Sequence, residues 1–338
     1  MPAPSSGKHP DPHTARCRKP YQEIFAAARD ISRSLPPLKT AQKKVARRHK
    51  PLTDPAYARP ETLEEALSFL KTNGAQTRPL AGGTDVMVDM RSGKLKTSYL
   101  LDISRLPDLQ GIVMTEEGLS IGASVTIREI YSSPLVAEHA PSLIKSCAFF
   151  GSPQIRNAAT IGGNVGNASP SADTAPSLLI HGTQTVLAGI NGERTVPVED
   201  LFKGPYRSGV KSDELMLRFI LTPARGRFSD FQKIGRRKAL AISRMSMAIL
   251  AECAKDETFR SVQLAMGSAT PTPMRMRAVE SFLVGKRPDR RTLDSGGQLM
   301  AEEMIRITGR RPSTVYKEKA VQGLFLRMLE PLAEKGAR

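Results

Sequence analysis

Residues 150–176 constrain this chain more than any other stretch: Phe-Gly-Ser-Pro-Gln-Ile-Arg-Asn-Ala-Ala-Thr-Ile-Gly-Gly-Asn-Val-Gly-Asn-Ala-Ser-Pro-Ser-Ala-Asp-Thr-Ala-Pro. Helix formers are scarce, and Gly162, Gly163 and Gly166 stand among Asn164, Asn167, Ser169 and Ser171, which predicts a loop. Glycine lets the backbone take positive φ and lets its N–H groups approach a ligand closely. Successive N–H groups aimed one way form an anion-binding nest, a natural seat for a pyrophosphate. A shorter stretch, Leu80-Ala81-Gly82-Gly83-Thr84-Asp85, repeats the same chemistry. Two cradles on one chain suit a ligand with two phosphates; two tight turns account for the glycines equally well.

Composition removes several alternatives. With 338 residues, 40% of them hydrophobic and 25% charged, the chain has enough material for two or three globular domains. No apolar run reaches the roughly 18 residues of a membrane span, and no secretory leader pattern opens the sequence. Cys17, Cys147 and Cys253 are odd in number and far apart. That spacing predicts a reducing, cytoplasmic setting, and no iron–sulfur cluster or structural zinc held by this chain alone. Cys147 falls in an apolar helical pattern with Leu143, Ile144 and Phe150, so core is favoured over catalyst. The five histidines show no metal spacing, and none lies in either glycine-rich stretch.

The net charge of +17 invites a nucleic-acid reading, so its location matters. Residues 1–51 hold 12 of the 50 basic residues and 3 of the 33 acidic ones, which leaves 38 and 30 for the remainder. Half the excess therefore sits in a proline-rich, basic extension whose composition favours disorder, with one short helix expected at Tyr21–Ser34. No specific nucleic-acid motif accompanies it. The run from Leu52 to Pro60 looks like the opening of a globular domain, which suggests that Leu52 is a misread alternative start and that the extension is not made.

Beyond it the pattern is α+β. Thr62 and Glu65 propose a capping box for an amphipathic helix stopped by Gly74. Strands are expected at 78–81 and 99–103, then a hairpin of 112–115 with 119–122. Thr126 and Glu129 form a second capping box, and a helix over 141–150 leads to the central loop. Asp173 stands at the start of another helix. Asn191-Gly192 marks a second hairpin, and a strand over 215–221 follows. From about residue 226 the order becomes three strands (228–234, 242–252, 260–267) followed by helices at 277–284, 298–307 and a last one through Val321, Leu324, Phe325, Met328, Leu329 and Leu332. The domains expected are thus 52–225 and 226–332.

Taken together, Ala81-Gly82-Gly83-Thr84-Asp85 and Thr160-Ile161-Gly162-Gly163-Asn164 resemble the two flavin-cradling loops in the FAD-binding medium subunits of molybdenum hydroxylases, the xanthine, nicotinate and carbon monoxide dehydrogenase family. The likeness spans roughly 52–330 and includes Gly151–Asn157, Asn167–Asp173, Phe202–Pro205, Arg236–Ser243, Arg311–Ser313 and Tyr316–Lys317. It is nearest to the nicotinate and xanthine dehydrogenase branch. It implies a fold of the vanillyl-alcohol-oxidase (PCMH) type, two α+β subdomains with FAD between them. A C-terminal α+β domain of the carbon monoxide dehydrogenase flavoprotein type would follow.

The resemblance also implies roles. FAD, held non-covalently, is expected to meet Leu80, Ala81, Gly82, Gly83, Thr84, Asp85 and Val86 in the first loop. In the second it would meet Ala159, Thr160, Gly162, Gly163, Asn164, Gly166 and Asn167, with Ala172 and Asp173 beyond. Backbone N–H groups of both loops would cradle the diphosphate. Asp173 would touch the cofactor or cap a helix. Phe150, Ile155 and Met216 would wall the flavin or simply belong to the core. Lys233 would stabilise the reduced flavin or stay solvated on the surface. Arg156 would favour the diphosphate or pair with a neighbouring subunit. The molybdenum cofactor is expected on a large partner and two [2Fe-2S] clusters on a small one, in a dimer of heterotrimers, with NAD⁺ or another carrier as acceptor. The competing readings are a stand-alone FAD oxidoreductase of the same fold and a basic nucleic-acid-binding protein.

Overall fold

The computed structural model describes residues 55–237 and 240–335. The basic extension, its expected helix and the alternative start at Leu52 lie outside these residues, as do Lys238 and Ala239 of the Arg236–Ser243 run.

Strand β1 (Ala56–Ala58) is followed by helix α1 (Leu63–Asn73), which buries Ala66, Leu67 and Leu70 on one face. Thr62 Oγ1 accepts the Glu65 N–H, but the Glu65 carboxylate takes the N–H of Glu61, so the expected capping box is only half made. Gly74 does not end the helix in a left-handed cap. Its φ of −52° is right-handed, and the chain tightens into a 3₁₀ turn over Gly74–Gln76. A Cβ there would stand 2.3 Å from the carbonyl oxygen of Ser212, so close packing explains the glycine. Then come β2 (Thr77–Leu80), α2 (Val86–Arg91) and β3 (Tyr99–Asp102), with β1 and β2 pairing in parallel on either side of β3.

The next part begins with the hairpin β4 (Ile112–Met114) and β5 (Leu119–Gly122). Helix α3 (Ile127–Ser132) carries the complete Thr126–Glu129 capping box. Helices α4 (Pro134–His139) and α5 (Pro141–Ala148) each have proline in the first turn, where its missing N–H costs nothing.

The stretch expected to be a loop contains two helices, α6 (Pro153–Ala158) and α7 (Ile161–Asn167). Ser152 Oγ accepts the Ile155 N–H and Thr160 Oγ1 accepts the Gly163 N–H. Two caps and a proline at the first helical position outweigh the poor intrinsic propensity of glycine and asparagine over such short spans. Helix α8 (Ala175–Ile180) follows; its N-cap is Thr174, so Asp173 does not cap it.

Strands β6 (Gln184–Gly189) and β7 (Gly192–Pro197) flank the Asn191-Gly192 turn. A small pair, β8 (Phe202–Gly204) and β9 (Arg207–Ser208), precedes β10 (Leu215–Leu221). β10 lies at the centre of an antiparallel sheet in the order β4-β5-β10-β6-β7.

A second antiparallel sheet contains β11 (Phe228–Ile234), β12 (Met245–Cys253), β13 (Phe259–Gly267) and β14 (Met274–Arg275), backed by α9 (Arg277–Leu283), α10 (Arg290–Thr308) and α11 (Thr314–Lys335). β12 is buried on both faces. Ala248 and Leu250 join Phe231 and Ala265 in the core of the preceding part, while Met245, Met247, Ile249 and Ala251 pack with the C-terminal helices. Helix α10 starts eight residues before the expected 298 because Gly296 and Gly297 mask its helical pattern. A Cβ on Gly296 would come within 2.9 Å of the Phe325 ring, so the pair lets α10 and α11 approach. Among the described residues, no helix is long and apolar enough to cross a membrane.

Candidate functional site

A cleft of about 390 Å³ opens between the three-stranded parallel sheet and the five-stranded antiparallel one. Its first wall is the turn after β2. Ala81, Gly82, Gly83, Thr84, Asp85 and Val86 all line it. The backbone N–H groups of Gly82, Gly83, Thr84 and Asp85 have no hydrogen-bond partner among the described residues. Gly83 takes a φ of +68°, which reverses the chain toward α2.

The facing wall holds Phe150, Ala159, Thr160, Gly162, Gly163, Asn164, Gly166 and Asn167, with Met216 from β10. Here the N–H groups expected to form a second cradle are engaged within the chain. Ile161 N–H donates to Val125 O (3.1 Å), Gly162 N–H to Ala123 O (2.8 Å), Gly163 N–H to Thr160 Oγ1 (3.0 Å) and Asn164 N–H to Thr160 O (3.0 Å). The same bonds make Thr160 a helix cap. The glycines also serve packing. A Cβ on Gly82 would stand 1.8 Å from Ala158 O, and one on Gly162 2.6 Å from Ala123 O. The two glycine segments therefore lean on one another and on the sheet, and only the first leaves a row of donors unused.

Five expected site residues do not line the cleft. Leu80 precedes the turn, with its Cδ1 beside Gly83. Ile155 is partly exposed and packs on Gly151. Ala172 is in the core. Asp173 and Lys233 form a buried ion pair beside the site, Nζ to Oδ2 at 2.6 Å, so Lys233 is not a solvated surface lysine. Lys233 Nζ also donates to Phe149 O at 3.1 Å. Burial outweighs the lysine's attraction and pushes the Asp173 carboxyl up to about 6. Its Oδ1 is buried with no hydrogen-bond partner among the described residues.

Sequence reasoning missed the third wall, made by Ser208, Val210, Lys211, Ser212, Glu214 and Leu215. Glu214 organises it. Its carboxylate takes two hydrogen bonds from Arg194 at 2.7 Å and accepts the Lys211 N–H at 3.1 Å; the Arg194 bond, above all, holds its pKa below the usual range. The signal was faint: Ser208-Gly209-Val210-Lys211-Ser212 carries no motif, and only the packing of Ser212 against Gly74 brings it here.

Unused amide donors on one wall suit a diphosphate, and Phe150, Val210, Leu215 and Met216 offer apolar surface to a ring system. The residues present fit a flavin dinucleotide. Fold and cleft define the class: an α+β cofactor-binding protein with a separate C-terminal domain.

Comparison with known proteins narrows that class. Residues 50–223 match the FAD binding domain in molybdopterin dehydrogenase, and residues 230–332 match the CO dehydrogenase flavoprotein C-terminal domain. The chain is 30% identical over 288 residues to the xanthine dehydrogenase FAD-binding subunit of Escherichia coli O157:H7, covering 84% of this chain and 98% of that one. It is also 30% identical over 291 residues to the nicotinate dehydrogenase FAD-subunit of Eubacterium barkeri, with the same coverage. The carbon monoxide dehydrogenase structure from Hydrogenophaga pseudoflava superposes with a TM-score of 0.76 at 25% identity, covering 82% of this chain and 96% of that one. The chain belongs to the family of FAD-binding medium subunits of xanthine, nicotinate and carbon monoxide dehydrogenases, and is the flavin subunit of an oxidoreductase.

Proposed function

We propose that this chain is the electron-transfer subunit of a molybdenum-containing hydroxylase of the xanthine or nicotinate dehydrogenase type. It draws electrons from [2Fe-2S] clusters on a small partner and delivers them to NAD⁺ or another acceptor, while substrate is oxidised at a molybdenum centre on a large partner. The observation that carries this reading is the division within the cleft, where four unused N–H donors face a wall fixed to the scaffold. FAD, when bound, supplies redox chemistry that links two-electron and one-electron carriers.

The chain's own residues do the rest. Gly82 to Asp85 present amides to the diphosphate, and Thr84 adds a hydroxyl. Phe150 and Met216 keep water from the ring. Lys233, fixed by Asp173 and the Phe149 carbonyl, places a buried positive charge beside the Phe150 wall. FAD is held without a covalent bond. No cluster of three metal-ligating side chains occurs among the described residues, which fits a division of labour with cluster-bearing and molybdenum-bearing partners in a cytoplasmic dimer of heterotrimers.

The test is expression of the chain alone and with its partners. Alone, it should bind one FAD that acid denaturation releases, and it should hydroxylate nothing. Substrate turnover by the isolated chain would instead establish a stand-alone flavoenzyme. A colourless preparation held on nucleic acid and released by salt would establish the basic-protein reading.

A further inference from the structure

Phe150 lines the cleft, but its neighbours Phe149 and Gly151 line a second cavity of about 670 Å³ on the other side of the turn. This cavity is strongly basic. Arg156, Lys233, Arg236, Arg237 and Arg327 line it, and among the described residues no carboxylate does. Lys233 is neutralised by Asp173, which leaves four guanidinium groups. Arg237 donates to the carbonyl of Leu240 (Nε to O, 3.0 Å) and Arg156 to that of Phe150 (Nη1 to O, 2.9 Å). The Nε of Arg156 is buried and has no hydrogen-bond partner among the described residues. Arg236 and Arg327 make no ion pair among the described residues; Arg327 also borders a neighbouring pocket where Glu330 and Glu334 lie.

Four like charges around one cavity repel, and an anionic partner seated there would relieve that repulsion. The apolar lining indicates what kind of partner. Phe149 is 44% exposed, Leu240 is 52% exposed, and Ile242, next along the chain, is 82% exposed. Arginine interleaved with exposed aromatic and aliphatic side chains is the composition of a protein–protein interface.

We propose that this cavity docks an acidic segment of a partner subunit, with carboxylates meeting Arg236 and Arg327 and apolar side chains covering Phe149 and Leu240. The inference rests on the subunit reading given above and adds a location to it. Docking here would set a partner directly against the Phe149–Gly151 turn, whose other side is the cleft wall.

The test uses the complete complex, co-expressed with its molybdenum and iron–sulfur subunits, and the charge reversals Arg236→Glu and Arg327→Glu, singly and together. Neither arginine holds the fold or lines the cleft, so FAD content and melting temperature should stay at the unaltered values. The double variant should lose partner affinity by about tenfold or more, and association of the unaltered chain should weaken as salt is raised. Unchanged affinity in the double variant would overturn the proposal. So would intact assembly combined with a raised KM for an anionic electron acceptor, which would make the cavity a small-molecule site. If the unaltered chain associates with no partner, the subunit reading falls, and this inference with it.

Discussion

The two glycine-rich segments look alike in sequence and do different work. Gly82–Asp85 leaves four consecutive N–H groups without a partner among the described residues, whereas the N–H groups of Ile161 to Asn164 are all spent on Val125, Ala123 and Thr160. One segment is a donor row; the other is a fixed wall built as a capped helix. The difference teaches that glycine content reports close approach of backbone without saying to what. At Gly82 and Gly162 the approaching group is a backbone carbonyl of the protein's own chain, Ala158 O and Ala123 O.

The sharpest way to break this comparison is Gly82→Ala. Its Cβ would fall 1.8 Å from a backbone oxygen that cannot swing aside, so the two segments must part. We expect a loss of about 3 kcal/mol by urea denaturation, together with loss of FAD. A cost below about 1 kcal/mol would show that the segments are not braced against each other.

Acid tests the scaffold behind the wall. His181 is buried, its Nδ1–H donating to Thr222 O at 2.7 Å and its Nε2 accepting from Ser142 of α5, the helix that leads to Phe149 and Phe150. Burial lowers its pKa from 6.5 to about 4. The unfolded chain then binds more protons than the native one between those values, so this histidine's contribution is intact above pH 6.5 and falls by about 3 kcal/mol as pH drops to 4. Asp173 works the other way. Its pKa is raised to about 6, so the native state binds the proton more tightly and stability from this group increases on acidification over the same window. The two slopes partly cancel in the natural protein. In Asp173→Asn the histidine slope should stand alone, seen as a steeper fall in stability from pH 6.5 to 4; identical profiles would contradict the assignment.

Two smaller effects sharpen the contrast. Thr160→Ala removes the α7 cap and leaves the Gly163 N–H without its partner, for a loss of about 1 kcal/mol. Gly163→Val should do the reverse of Gly82→Ala. Gly163 lines the cleft, and an added Cβ would meet only Thr160 Oγ1, at 2.9 Å. Stability should change by about 1 kcal/mol or less while FAD binding is lost, giving a folded, colourless protein. Full FAD occupancy in this variant would remove Gly163 from the binding surface.

Much was legible in the chain itself. The Thr126 and Glu129 capping box, the Asn191-Gly192 hairpin and the β10 alternation of Leu215, Leu217, Phe219 and Leu221 are local signals, and the structure has them where periodicity and caps put them. Family membership was legible too, because it rests on an ordered set of short motifs. The wall over Ser208–Leu215 was not, since its place depends on Gly74 meeting Ser212, more than a hundred residues away in sequence.

The sequence by itself determined, through an ordered set of short motifs, that this is an FAD-binding family member with two glycine-rich segments; glycine content alone left tight turns open. Only the tertiary structure decided which segment keeps its donors free. That depends on whether distant carbonyls such as Ala123 O and Val125 O reach the N–H groups first. The pairing of Lys233 with Asp173, sixty residues apart, and the two-sided burial of β12 were settled in the same way. A local pattern specifies hydrogen-bonding capacity; packing brings the partners that use it.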